Sequence, residues 1–96
     1  MKLVWIAYNE ALDQDVIEKV RSLEVSGYTK WTGVLGAGRT SGPHLLSHVW
    51  PKGNHVLAAV VDDDVAGKLM DAVREMRSDA GHEGVKAFLL PVEEVT

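Results

Sequence analysis

Lys2 to Tyr8, "KLVWIAY", is apolar on both parities and rich in β-branched and aromatic residues, which predicts a buried strand. The period then changes. Leu12, Val16, Val20 and Leu23 recur at helical spacing, with Asp13, Asp15, Glu18 and Lys19 between them. Asn9 supplies an N-cap, and the acids of the first turn suit the positive end of a helix dipole. A helix is therefore predicted over Glu10–Leu23, with Gly27 closing the segment in a left-handed conformation. "YTKWTGVL", Tyr28 to Leu35, alternates and reads as a second strand; "HVLAAVV", His55 to Val61, reads as a third. Asp62, Asp63 and Asp64 open a second helix whose buried stripe is Val65, Leu69, Val73 and Met76. Ser78 to Gly84 reads as a turn. Val85 to Val92 is a fourth strand, and Pro91 near its end suits a sheet edge.

The order β-α-β-β-α-β predicts an α+β, ferredoxin-like domain. Right-handed crossovers put both helices on one face of a four-stranded antiparallel sheet. The strands contradict a solvated second face. Leu3, Trp5 and Ala7 oppose Val4, Ile6 and Tyr8; Val56, Ala58 and Val60 oppose Leu57, Ala59 and Val61; Val85, Ala87 and Leu89 oppose Lys86, Phe88 and Leu90. Both faces are apolar, and no third helix is left to cover the free one. A patch of that size points to sheet-to-sheet association of copies of the chain.

Composition narrows the class. The 96 residues form one domain, 1–96, with 46% hydrophobic and 25% charged positions, as in a globular protein. Cysteine is absent, which removes disulfides, thiolate metal sites and cysteine nucleophiles. A net charge of -4 with scattered basic residues argues against nucleic acid as a partner. No apolar run approaches the roughly 18–20 residues needed to span a bilayer, so no membrane insertion is expected. Nothing resembles a signal peptide, and a cytoplasmic location is the expectation.

One stretch fits neither strand nor helix: "LGAGRTSGPHLLSHVWPKGNH", Leu35 to His55. It holds four of the nine glycines, two of the three prolines and three of the four histidines. A connection longer than roughly 12–15 residues in so small a domain calls for a functional reason. "GAGRTSG" is not a P-loop, because Pro43-His44 follow the last glycine where Lys-Ser/Thr belongs. Its glycine spacing also misses the dinucleotide fingerprint. Glycine backbone at Gly36 and Gly38 still allows an anion nest, and Arg39 adds a fixed cation. His44 and His48 stand four apart, and His55 closes the stretch, so a metal ion is a second candidate ligand. A plainer reading makes these histidines polar loop residues at a subunit contact. No nucleophile motif or other catalytic constellation appears, so no enzymatic activity is expected.

Ala11 to Gly42, "ALDQDVIEKVRSLEVSGYTKWTGVLGAGRTSG", resembles the PII signal-transduction proteins, which have a helix, a "GxT" entry to strand two and a "KGFGRQKG"-like exit into a long T-loop. The second helix and "GHEGVKAF" are similar to the PII second helix, B-loop and final strand. The CutA proteins share the architecture and are the nearest confusable group; a CutA-like metal-binding module using His44, His48 and His55 is the alternative. The PII resemblance implies a ferredoxin-like homotrimer and a non-enzymatic regulator. It implies an anionic ligand, with an adenine nucleotide as candidate, held between subunits by the T-loop base and the B-loop. It implies a T-loop-like excursion at about 38–54 that docks on a target protein. Residue by residue, Gly36, Gly38 and Arg39 match the T-loop base, and Thr40 stands where PII has the glutamine that helps hold magnesium and 2-oxoglutarate. Gly84 matches a B-loop glycine. Lys86 falls one place from the phosphate-contacting lysine.

Overall fold

The computed structural model describes residues 1–38, 42–44, 53–79 and 84–96. β1 spans Lys2–Asn9, a short 3-10 turn Glu10–Leu12, α1 Asp13–Ser22, β2 Thr29–Val34, β3 Gly36–Gly38, β4 Gly42–His44, β5 Asn54–Val61, α2 Asp63–Asp79 and β6 Val85–Pro91. Four strands form one sheet in the order β2-β5-β1-β6, and every neighbouring pair is antiparallel. This is the expected ferredoxin-like arrangement. β6 lies at an edge, as Pro91 predicted.

Alternation along β1 separates two faces. Val4, Ile6 and Tyr8 are buried and join Val16 and Val20 of α1, Ala66, Leu69 and Val73 of α2, Leu57 and Ala59 of β5 and Val85 of β6 in one core. The register pairs Val4 with Ala59, Ile6 with Leu57 and Tyr8 with His55, so these residues share the helix-bearing face. The opposite parity carries Trp5, Trp31, Val60, Phe88 and Leu90. The last four are 42% to 48% exposed, large fractions for such side chains. Val56, on that parity, is buried yet stands outside the core cluster. Both parities are thus apolar, and only one is packed against helices.

Several boundaries differ from the sequence expectation. Asn9 does cap, its side chain accepting from the Ala11 N–H at 2.8 Å, but it starts a 3-10 turn and α1 begins at Asp13. Glu24, not Gly27, takes the left-handed conformation after α1, with φ 57°. The Glu24 N–H donates to the Arg21 carbonyl at 2.9 Å and the Val25 N–H to the Val20 carbonyl at 3.2 Å, the Schellman pattern. Closure there lets Leu23 and Val25 pack on the core. Ser78 and Asp79 belong to α2 rather than to a turn, since neither breaks a helix. Part of the presumed irregular stretch is a two-stranded ribbon, β3 with β4, pairing Gly36 with His44, Ala37 with Pro43 and Gly38 with Gly42. Its glycines pair through backbone alone, so no side-chain period announces it. No helix among the described residues is long and apolar enough to cross a membrane.

Candidate functional site

Strand directions bring the candidate residues to one end of the sheet. β1 and β2 finish there, and β5 and β6 begin there. Across that end, Asn9 pairs with Asn54, and Asn54 pairs with Val34 on the other side. The Asn9 N–H donates to the Gly84 carbonyl at 2.6 Å, and the Glu10 N–H donates to the Gly53 carbonyl at 2.9 Å. The end row therefore reads Gly84, Asn9, Asn54, Val34, with the glycine ribbon continuing from Val34.

The two glycine-bearing segments occupy opposite sheet edges. Gly36 follows the β2 edge and Gly84 precedes the β6 edge. Three strand spacings separate those edges, about 14 Å. β2 carries an irregularity between Trp31 and Val34, where Gly33 has φ 67°. That bulge bends the strand toward the ribbon. A Cβ added at Gly36 would sit 3.0 Å from the Asn54 Nδ2, tighter than ordinary contact. Gly84 has φ 90°, a backbone region that side-chain-bearing residues rarely adopt. Its neighbour Val85 is fixed from the other side, because the Arg77 guanidinium donates to the Val85 carbonyl at 2.6 Å. Sequence reasoning missed Asn54 and Arg77. A basic residue in the last turn of α2 was a visible signal for Arg77; Asn54 gave none.

Lys86 pairs with Ala7 and lies on the helix-free face, while Val85 is buried on the helix side. The one-place displacement from the family's lysine thus changes the face, since strand side chains alternate. The Lys86 Nζ stands 5.6 Å from the centre of the Phe88 ring. Arg39, Thr40 and His48 lie outside the described residues. His44 contributes its backbone to β4 opposite Gly36.

His55 is buried beneath the site rather than presented to it. It faces the helices, with its ring edge-on to Tyr8 at 5.7 Å between centroids. Its Nδ1 has no hydrogen-bond partner among the described residues. The Tyr8 hydroxyl donates to an Asp13 carboxylate oxygen at 2.6 Å, and the Lys30 ammonium reaches the same oxygen at 2.8 Å. Burial pushes the Tyr8 phenol up, and the hydrogen bond to Asp13 pushes it further. Partial burial acts to raise the Asp13 carboxyl. The hydrogen bonds from Lys30 and Tyr8, with the nearby charges of Lys30 and His55, outweigh it and hold Asp13 below the usual carboxylate range. This cluster ties the start of α1 to β1, β2 and the first residues of β5. Among the described residues no three His, Asp or Glu side chains are grouped closely enough to hold a metal ion.

The family model for nitrogen regulatory protein P-II matches residues 1–96. The chain belongs to that family. Its solved neighbours agree on the fold. A PII-like signalling protein of Thermus thermophilus is 25% identical, with a TM-score of 0.63 over 92% of this chain and 81% of that one. CPII of Thiomonas intermedia K12, a nitrogen regulatory PII-like protein bound to ADP, AMP and bicarbonate, is 17% identical. Its TM-score is 0.74 over 93% of this chain and 88% of its own. The same protein bound to ADP and bicarbonate gives 20% identity and a TM-score of 0.72, covering 97% and 88% of the two chains. No curated protein matches the chain. As a P-II family member the chain is a PII-like signalling protein, and the ribbon at the exit of β2 stands where the sequence resemblance put the T-loop base.

Proposed function

We propose that this P-II family member is a non-enzymatic regulator that senses a small anionic ligand, an adenine nucleotide, between the subunits of a homotrimer. It acts on a partner protein through the T-loop-like segment at about 38–54. Gly36, Gly38, Arg39 and Thr40 are the contacts from one side, and Gly84 and Lys86 those from the other. The observation that carries this reading is the glycine ribbon leaving the β2 edge, whose Gly36 and Gly38 have no Cβ between backbone N–H groups and an approaching phosphate. A separation of three strands between that ribbon and Gly84 supports a site shared by two copies rather than built within one. The apolar helix-free face supports association of copies, and the family supplies the number three. ADP and AMP in the CPII structures support the ligand class. A segment ordered by its ligand reports that ligand to a target.

Titration calorimetry with ADP, AMP, ATP and Zn or Cu tests the reading. Nucleotide binding that weakens about 10- to 150-fold in Arg39→Ala is the expected result, corresponding to one lost charge-assisted contact. Metal heats that disappear in His44→Ala, with no response to any nucleotide, would overturn it in favour of a metal-binding module.

A further inference from the structure

The helix-free face has a single charged residue among its described positions. Trp5, Trp31, Val60, Phe88 and Leu90 are its large side chains, and Lys86 points the same way from the register position beside Ala7. Phe88 is tilted against Trp5 with 5.6 Å between ring centroids, and the Lys86 ammonium lies 5.6 Å from the Phe88 centroid on an exposed side chain. Among the described residues no carboxylate pairs with it; the ion pairs there are Met1–Asp63, Lys30–Asp13, Lys68–Asp64 and Arg74–Asp71.

An aromatic ring attracts an ammonium without neutralising it. When a second apolar face covers this one, the ammonium loses water and needs an anion. The like face of another copy brings lysine and no carboxylate. We infer that Lys86 makes assembly of this chain anion-linked: an oxyanion on the Lys86 ammonium accompanies covering of the helix-free face, and each strengthens the other. This rests on the reading that copies of the chain cover that face. Reciprocity follows from linkage, because an anion that binds the assembled form more tightly must favour assembly by the same factor. The shared chemistry is an oxyanion with two sources, a free phosphate or a carboxylate of another copy. Glu93 and Glu94, exposed just beyond β6, are the carboxylates nearest in sequence.

Sedimentation velocity over a dilution series reads the effect, with inorganic phosphate as probe against chloride at equal ionic strength. Phosphate is expected to tighten assembly of the parent by about 10- to 100-fold, the range of one charge-assisted contact. Lys86→Met is expected to assemble tightly without phosphate and to ignore it. If the carboxylate source operates, the parent ignores phosphate, and the double substitution Glu93→Gln with Glu94→Gln weakens its assembly while leaving assembly of Lys86→Met unchanged. A phosphate response equal in the parent and Lys86→Met overturns the inference. So does a parent that assembles but responds to neither phosphate nor the double substitution. A parent that stays monomeric in every buffer overturns the assembly reading beneath it.

Discussion

Replacing Asp13 by Ala removes one oxygen that serves two donors, the Tyr8 hydroxyl at 2.6 Å and the Lys30 ammonium at 2.8 Å. The Tyr8 bond is part-buried and charge-assisted, and its loss costs about 1.5–3 kcal/mol. The Lys30 pair is more open, with side chains 26% and 31% exposed, and adds about 0.5 kcal/mol. Asp13→Ala should therefore lower stability by about 2–3.5 kcal/mol near neutral pH. Tyr8→Phe should cost less, about 1–2 kcal/mol, because it keeps the ring in the core. The double variant should cost less than the sum, since both changes delete the same bond. Urea unfolding at fixed protein concentration reads all three. The pH dependence has a definite sign. The Asp13 carboxyl is lower in the folded chain than its unfolded value of about 3.9. Its contribution is complete above that unfolded value and is lost as pH falls through the folded one. The parent should thus lose more stability on acidification than Asp13→Ala. A variant within about 0.5 kcal/mol of the parent at neutral pH, with the same acid profile, would refute the reasoning.

Gly84→Ala should destabilise by about 1–2 kcal/mol through backbone strain at φ 90°, because the space is adequate at 3.5 Å from the Leu12 Cδ1; thermal melts check this. Glu24→Gly should stabilise by up to about 1 kcal/mol, as relief of the left-handed strain exceeds the entropy of glycine, and a lowered melting temperature would contradict it. Leu57→Asp, at a position with 0% exposure on the helix side, should cost several kcal/mol and abolish folding; Val4→Asp should do the same. Val60→Asp, 42% exposed on the other face, should leave far-UV circular dichroism intact and lower the mass seen by light scattering.

Alternation and helical period were enough to read the four main strands, both helices and the apolar second face, because each element's buried side repeats in the sequence. Lys86 illustrates what parity adds: its position beside Val85 already fixed its face, once strand register was known. Pairing of Gly36–Gly38 with Gly42–His44 was not legible, since backbone bonds between glycines leave no pattern of side chains. Glu24 was missed for a related reason. Glycine is the usual left-handed residue, yet the Schellman bonds and the packing of Val25 select the position, and Gly27 lies beyond them. The Arg77 contact to the Val85 carbonyl and the approach of Asn54 to Gly36 depend on tertiary placement that no local period encodes. His55 closes the histidine-rich stretch in sequence but turns inward against Tyr8, a consequence of its pairing within β5.

Hydrogen–deuterium exchange with and without saturating ADP tests the central claim most directly, because it reads ligand binding and the response of the loop together. ADP should slow exchange over residues 36–54 and 84–86 and leave the paired interior of β1 and β5 unchanged. Exchange that is identical with and without ADP in both segments would contradict a nucleotide-sensing site at this end of the sheet.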